Sequence, residues 1–239
     1  MIRAVLFDLD ETLFDHRGAV AHAAVAWTRA LSPGHLPRTG VPALWLDLER
    51  RHLPAWHAGE CSFAEQRRRR LRDFCHLMRL PLPADLDTAY ADFLRHYEAA
   101  WTAFPDAACT LDALTGRGLT LGVLTNGVPV QQEAKLRRIG LMDRLDPVLT
   151  PDALGAFKPA PECYLAAAAK LGLHPQEILL VGDDRELDAI GPTRVGMRGV
   201  WLDRHETGHP DAGHPDAGHP DRQGPPRITS LRELPALLG

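Results

Sequence analysis

Short, uninterrupted apolar runs recur along the chain at 4–7, 119–124, 147–149, 178–181 and 200–202. Each has the length of a strand buried on both faces. Between the later runs the apolar spacing becomes helical, over 130–139, 162–171 and 187–195, and each of these stretches ends at a glycine: Gly140, Gly172 and Gly196. Glycine there supplies the left-handed residue that closes a helix. Pro161 opens the second helix, a favoured place for proline, and Pro192 falls where a first helical turn tolerates it. Strand and helix in alternation predict an α/β fold, a doubly wound parallel sheet with helices on both faces. Ligand chemistry in such a sheet gathers at the carboxyl ends of the strands.

Residues 16–104 carry a different pattern. Helical spacing covers 19–30, 42–57, 63–78 and 86–100 with no strand signal between them. Ser62 with Glu65 forms a capping box, and Asp85 stands where it can cap the fourth helix. An all-α domain is therefore expected as an insert, with the core formed by 1–15 and 105–239. Leaving from the end of the first strand, it would serve as a lid. Within the core, 205–226 is a low-complexity loop: Gly-His-Pro-Asp-Ala at 208–212 repeats at 213–217 and, without its alanine, at 218–221. Proline every fifth residue excludes a helix or an interior strand. The repeat reads as an expansion in a surface loop, with transition-metal binding by its three histidines and three aspartates as the alternative. Order resumes over 228–238, where Ser230 can cap a last short helix.

Composition changes this picture little. The 239 residues are 45% hydrophobic and 24% charged, as in an ordinary globular protein. The net charge of −4 gives no electrostatic reason to expect nucleic acid or an anionic membrane as partner. No apolar stretch approaches the roughly 20 residues of a membrane span. Asp8 and Asp10 interrupt the N-terminal apolar run, so no secretory pattern is present and a cytoplasmic location is expected. Cys61, Cys75, Cys109 and Cys163 lack metal-ligand spacing and read as small buried hydrophobes. Lysine occurs only at 135, 158 and 170 among 27 basic residues. Each lysine is therefore worth attention, because arginine cannot replace a compact point charge.

The polar residues at the strand ends carry the chemistry. Asp8 and Asp10 close the first apolar run and, by alternation, point to one side. Two crowded carboxylates repel unless a cation, a proton or strong donors relieve them. Thr125 and Asn126, followed by Gly127, end the second run and offer groups that can hold anionic oxygens. Lys158, in a proline-rich loop, would be a cation facing carboxylates. Asp183 directly follows the fourth run, while Asp184, Glu186 and Asp188 sit where a helix begins and can be dipole partners. A shared site needs its members at strand ends, as these are.

In this order, Asp8-Leu9-Asp10-Glu11-Thr12, Thr125, Lys158 and Gly182-Asp183-Asp184 with Asp188, the chain resembles the haloacid dehalogenase-like hydrolase superfamily, subfamily I, with a helical C1-type cap. The resemblance implies a Rossmann-like core and a Mg²⁺-dependent phosphatase acting on a small phosphorylated metabolite, such as a sugar phosphate or nucleotide. Asp8 would be the nucleophile that forms a phosphoaspartyl intermediate, and Asp10 the acid and then the base. Mg²⁺ would be held by Asp8, the Asp10 backbone carbonyl and Asp183, with Asp188 and Asp184 in support. Thr125, Asn126 and Lys158 would bind the phosphoryl group. Leu187 and Asp184 depart from the commoner asparagine and serine. A 2-haloacid dehalogenase and a phosphosugar mutase are alternatives on the same fold, although a dehalogenase needs neither Mg²⁺ nor a second aspartate. A receiver domain lacks the helical insert, and a non-catalytic module would lack a core residue. The chain would be a monomer or homodimer. Phe14, Asp15, His16 and Arg17 are expected at the entrance. The arginines at 67–70 and 72 are expected on a solvated surface, with Trp45, Trp56 and Trp101 packed inside the insert.

Overall fold

The computed structural model describes residues 1–32, 40–205 and 224–238. The repeat at 208–221 lies outside them. The chain divides into two compact units, Met1–Phe14 with Ala103–Gly239, and Asp15–Thr102.

In the first unit, β1 (Ala4–Phe7) carries no polar side chain and is wholly buried. This is what a central parallel strand with both faces covered requires. Its neighbours are β2 (Thr120–Leu124) and β4 (Ile178–Gly182). Beyond them lie β3 (Val148–Leu149), β5 (Arg198–Leu202) and β6 (Arg227–Ile228). All pairings are parallel, in the order β3-β2-β1-β4-β5-β6. The order reverses direction between β1 and β4, the switch point where such sheets leave a crevice beyond the strand ends. Phe7 pairs in register with Val123 on one side and Val181 on the other, so Asp8, Thr125 and Asp183 all emerge at that edge.

The helices are α5 (Ala107–Thr115), α6 (Pro129–Arg138), α7 (Pro151–Leu154), α8 (Pro161–Leu171) and the one-turn α9 (Gly191–Thr193) and α10 (Leu234–Leu237). Gly140, Gly172 and Gly196 adopt positive φ of 72, 64 and 86°, as their terminal positions predict. Ser230 caps a turn over Leu231–Glu233. On one face of the sheet, Leu6, Leu124 and Leu180 pack with Tyr164, Ala167 and Met197.

The expected α-helix over 187–195 is not formed. A π-helix occupies Arg185–Ile190 and runs into α9. Gly182 makes room for it: a Cβ there would stand 2.2 Å from the Asp188 carboxylate.

The second unit holds α1 (His16–Leu31), α2 (Val41–His57), α3 (Phe63–Met78) and α4 (Leu86–Ala99). Ser62 accepts the Glu65 N–H at 3.1 Å, and Asp85 accepts those of Asp87 and Thr88 at 2.9 and 3.2 Å. Trp45 is fully buried, stacked on Phe93 with centroids 3.9 Å apart and edge-on to Phe74. The arginine run divides. Arg68, Arg69 and Arg72 pair with Asp87 or Glu65 at the surface, as a solvated face predicts. Arg70, contrary to that expectation, is buried and bonds Glu49 at 2.5 Å and the Tyr90 hydroxyl, while Arg67 lies over the Phe63 ring. Residues three apart on α3 return to one side, so the run wraps from solvent into the bundle. Of the residues expected at the entrance, three have defined structural partners or burial. Phe14 is wholly buried, Asp15 caps α1 through the Gly18 N–H at 2.8 Å, and His16 bonds Tyr97 at 2.7 Å.

Candidate active site

Lys158 Nζ lies 2.7 Å from Asp8 Oδ1 and 2.6 Å from Asp188 Oδ1, with all three side chains nearly excluded from solvent. Burial opposes the ammonium charge, but Asp188 and Asp8 outweigh it and hold the Lys158 pKa above its ordinary value. Asp8 is governed by burial, which, aided by Asp188 and Asp10, overcomes Lys158 and pushes its carboxyl up to about 7. Asp188 is raised by the same burial against the pull of Lys158, and its second oxygen accepts the Asp184 N–H at 3.1 Å.

Asp183 completes the acidic group. Asp8, Asp183 and Asp188 each offer an oxygen within 4.8 Å of the others. Burial raises the Asp183 carboxyl well above its usual range, and every charged neighbour that moves it further, Asp8, Asp188, Glu11 and Asp184, is acidic. Three carboxylates thus share the single positive charge of Lys158. A hard divalent cation fits this donor set, which is all oxygen, without histidine or cysteine, and in excess of negative charge. Asp188 belongs to that cluster directly. Asp184 instead caps the π-helix, its Oδ1 accepting the Glu186 and Leu187 N–H groups at 2.9 Å each.

The hydroxyl of Thr125 is fixed by two donors, the Gly127 N–H at 3.1 Å and Gln132 Nε2 at 2.7 Å. With both lone pairs taken, the capacity left to it is to donate its hydrogen. The Asn126 amide accepts the Lys158 N–H at 2.8 Å and donates to the Lys158 carbonyl at 2.9 Å, so this side chain anchors the lysine loop.

Asp10 is held apart from this cluster by α6. Lys135 Nζ lies 2.5 Å from Asp10 Oδ1, and Gln132 Nε2 is 3.3 Å from Asp10 Oδ2. Neither residue stood out by position in the sequence, since a polar residue inside a helix reads as solvated. The rarity of lysine was the one signal for Lys135. Arg204 is a further residue that the motifs do not reveal. It grips both oxygens of Asp106 at 2.9 and 3.0 Å and donates to the Thr12 carbonyl at 2.7 Å, fixing the loop that follows Asp10.

Residues 2–196 match the model of the haloacid dehalogenase-like hydrolase family, and the chain belongs to that family. Among curated relatives, a ribulose-1,5-bisphosphate 5-phosphatase of Halopiger xanaduensis is 32% identical over 211 residues, covering 86% of this chain and 87% of its own. An (S)-2-haloacid dehalogenase of Pseudomonas sp. is 31% identical over 206 residues, covering 85% and 83%. A HAD-hydrolase of Bacillus subtilis, solved bound to magnesium, shares the fold with a TM-score of 0.79 at 20% identity, covering 100% of this chain and 99% of its own.

Proposed function

We propose that this hydrolase is a Mg²⁺-dependent phosphatase of small phosphorylated metabolites that works through a phosphoaspartyl intermediate. The observation that carries the reading is the separation of the two aspartates. Asp8 is paired with Lys158 in a cluster of three carboxylates, whereas Asp10 lies outside that group, held by Lys135 and Gln132. That difference supports attack by Asp8 and proton transfer by Asp10. Attack on carbon with departure of halide has no use for the second.

Asp8 attacks phosphorus, and the P–O bond to the leaving group breaks as Asp10 gives that oxygen its proton. Water then attacks the aspartyl phosphate while Asp10 takes a proton from it, freeing phosphate and restoring Asp8. Lys158 and the Thr125 hydroxyl face the charge of the transferring group, which in phosphoryl transfer is the greater part of the catalytic task. Mg²⁺, held by Asp8, Asp183 and the Asp10 carbonyl, would neutralise phosphoryl oxygens and orient them for in-line displacement. The name of the Halopiger relative supports a phosphosugar as the first substrate class to try.

The test is turnover of a phosphometabolite panel with and without Mg²⁺, beside Asp8→Asn. The expected result is metal-dependent phosphate release that the variant lowers by about 10⁴-fold or more, as for other lost nucleophiles. Release of halide from 2-haloacids with no phosphate release would select the dehalogenase reading instead.

A further inference from the structure

The ion pair between Lys135 and Asp10 has no evident purpose in stability. Lys135 is 3% exposed and Gln132 1%, and both project from α6 three residues apart, on one helical face. Lys135 sets its ammonium 4.9 Å from the Phe14 ring centroid and against Asp10, whose side chain is 35% exposed. Burying an ammonium to meet a partly solvated carboxylate is an inefficient route to stability. An apolar side chain of similar volume does as well or better. What the pair provides is geometry. Lys135 fixes Asp10 Oδ1, and the Gln132 amide reaches both Asp10 Oδ2 and the Thr125 hydroxyl. One helix face thus ties the proton-transfer carboxylate to the hydroxyl beside the transferring group.

We propose that Lys135 and Gln132 are positioning residues that hold Asp10 in the orientation needed for proton transfer. The inference rests on the phosphatase reading, in which Asp10 exchanges protons with the leaving oxygen and then with water. Asp8 has its own support in Lys158, whose Nζ lies 2.7 Å from Asp8 Oδ1 and 2.6 Å from Asp188 Oδ1.

The experiment compares kcat/KM, which reports the first chemical step, across phosphate esters whose leaving groups range from nitrophenol to alkyl alcohols. A nitrophenolate departs with little need of a proton, whereas an alkoxide depends on one. Lys135→Met should lose about 10²-fold or more on alkyl esters, the scale of general-acid catalysis, and less than about 5-fold on the nitrophenyl ester. Lys135→Arg should recover part of the alkyl-ester loss. Gln132→Leu should show the same slant in smaller measure. A loss equal across the series, or no loss, would overturn the proposal. If Lys135→Met does not fold, Lys135→Gln and Gln132→Leu carry the same comparison, and misfolding of all three would show the pair to be structural. Wild type and Asp8→Asn are measured alongside. A wild type inactive on every ester defeats the phosphatase reading, whereas an active, Asp8-dependent enzyme with level losses defeats only the positioning role.

Discussion

Two aspartates one residue apart acquire different chemistry because different cations hold them. Asp8 meets a lysine from a loop after β3, and Asp10 a lysine from α6. Thr125 is the residue whose role the hydrogen-bond count defines most sharply, since two N–H donors leave it only a hydrogen to give. Thr125→Val should lower kcat/KM by about 10²-fold, the usual effect of removing one donor to a developing anionic oxygen. Thr125→Ser should stay within several-fold of wild type, and equal losses in steady-state assays of the two would show that the hydroxyl does not account for the role of Thr125. Asp8, Asp10, Lys158 and Asp183 were legible in the sequence because each follows a strand or a rigid loop, where a charged residue has no ordinary structural excuse. Lys135 and Gln132 were not, because burial of one helix face by a neighbouring loop is a tertiary fact. The Asn126 side-chain amide holds the Lys158 backbone, a partner that comes near only after folding.

Among the elements, the π-helix over Arg185–Ile190 shows why local pattern misled. An apolar spacing compatible with an α-helix was present, but proline at 192 changes the hydrogen-bond accounting. In a π pattern the Gly191 N–H reaches the Glu186 carbonyl, as it does here, and the Leu187 carbonyl would look to residue 192. Pro192 has no N–H to offer. The Tyr164 hydroxyl, reaching from α8, donates to that carbonyl at 2.6 Å. Gly191 permits its approach, since a Cβ there would stand 2.3 Å from the hydroxyl. The widened turn carries Asp188 to Lys158. Tyr164→Phe should therefore cost about 1 kcal/mol in urea unfolding, the penalty for losing a hydrogen bond to a part-buried carbonyl. Activity should fall with it as Asp188 loosens. A change below about 0.5 kcal/mol would mean that water replaces the hydroxyl, and the account of the π-helix would fail. The strands, the closing glycines and the Ser62 and Asp85 caps were readable because their causes are local. The tyrosine that completes the π-helix lies more than twenty residues away in sequence.

For the molecule as a whole, the hydrophobic period changes sharply at the borders of 16–104, and Asp15–Thr102 forms one of the two compact units of the chain. The stability of the whole was not legible in the sequence, since it depends on how many carboxylates the fold crowds together. Asp8, Asp183 and Asp188 all have folded pKa values above their ordinary value of 3.8. For Asp8, between about pH 4 and 7 the unfolded chain has already released its proton while the folded chain retains it, and the raised Asp183 and Asp188 act in the same direction. The folded state binds more protons, so stability falls as pH rises through this window. Asp106 works the other way: burial raises it, but Arg204, Ser230 and the Leu231 N–H prevail, so its contribution is present above its unfolded pKa and lost as pH falls through the lower folded value. Metal-free protein should accordingly be most stable in mild acid and lose melting temperature toward pH 8. Mg²⁺ at the proposed site would need the deprotonated cluster, so its stabilisation should grow over the same range. At a hundredfold excess over Kd it contributes ~2.7 kcal/mol, or ~5–10 °C for a chain of this size. Thermal melts at pH 5.5 and 8, with Mg²⁺ or with chelator, should show the larger shift at pH 8. Asp183→Asn separates cause from correlation: removing one crowded charge should raise the metal-free melting temperature at pH 8 and abolish the Mg²⁺ shift. A variant that keeps the Mg²⁺ shift, or a wild type whose shift is the same at both pH values, would show that the acidic cluster is not where the cation binds.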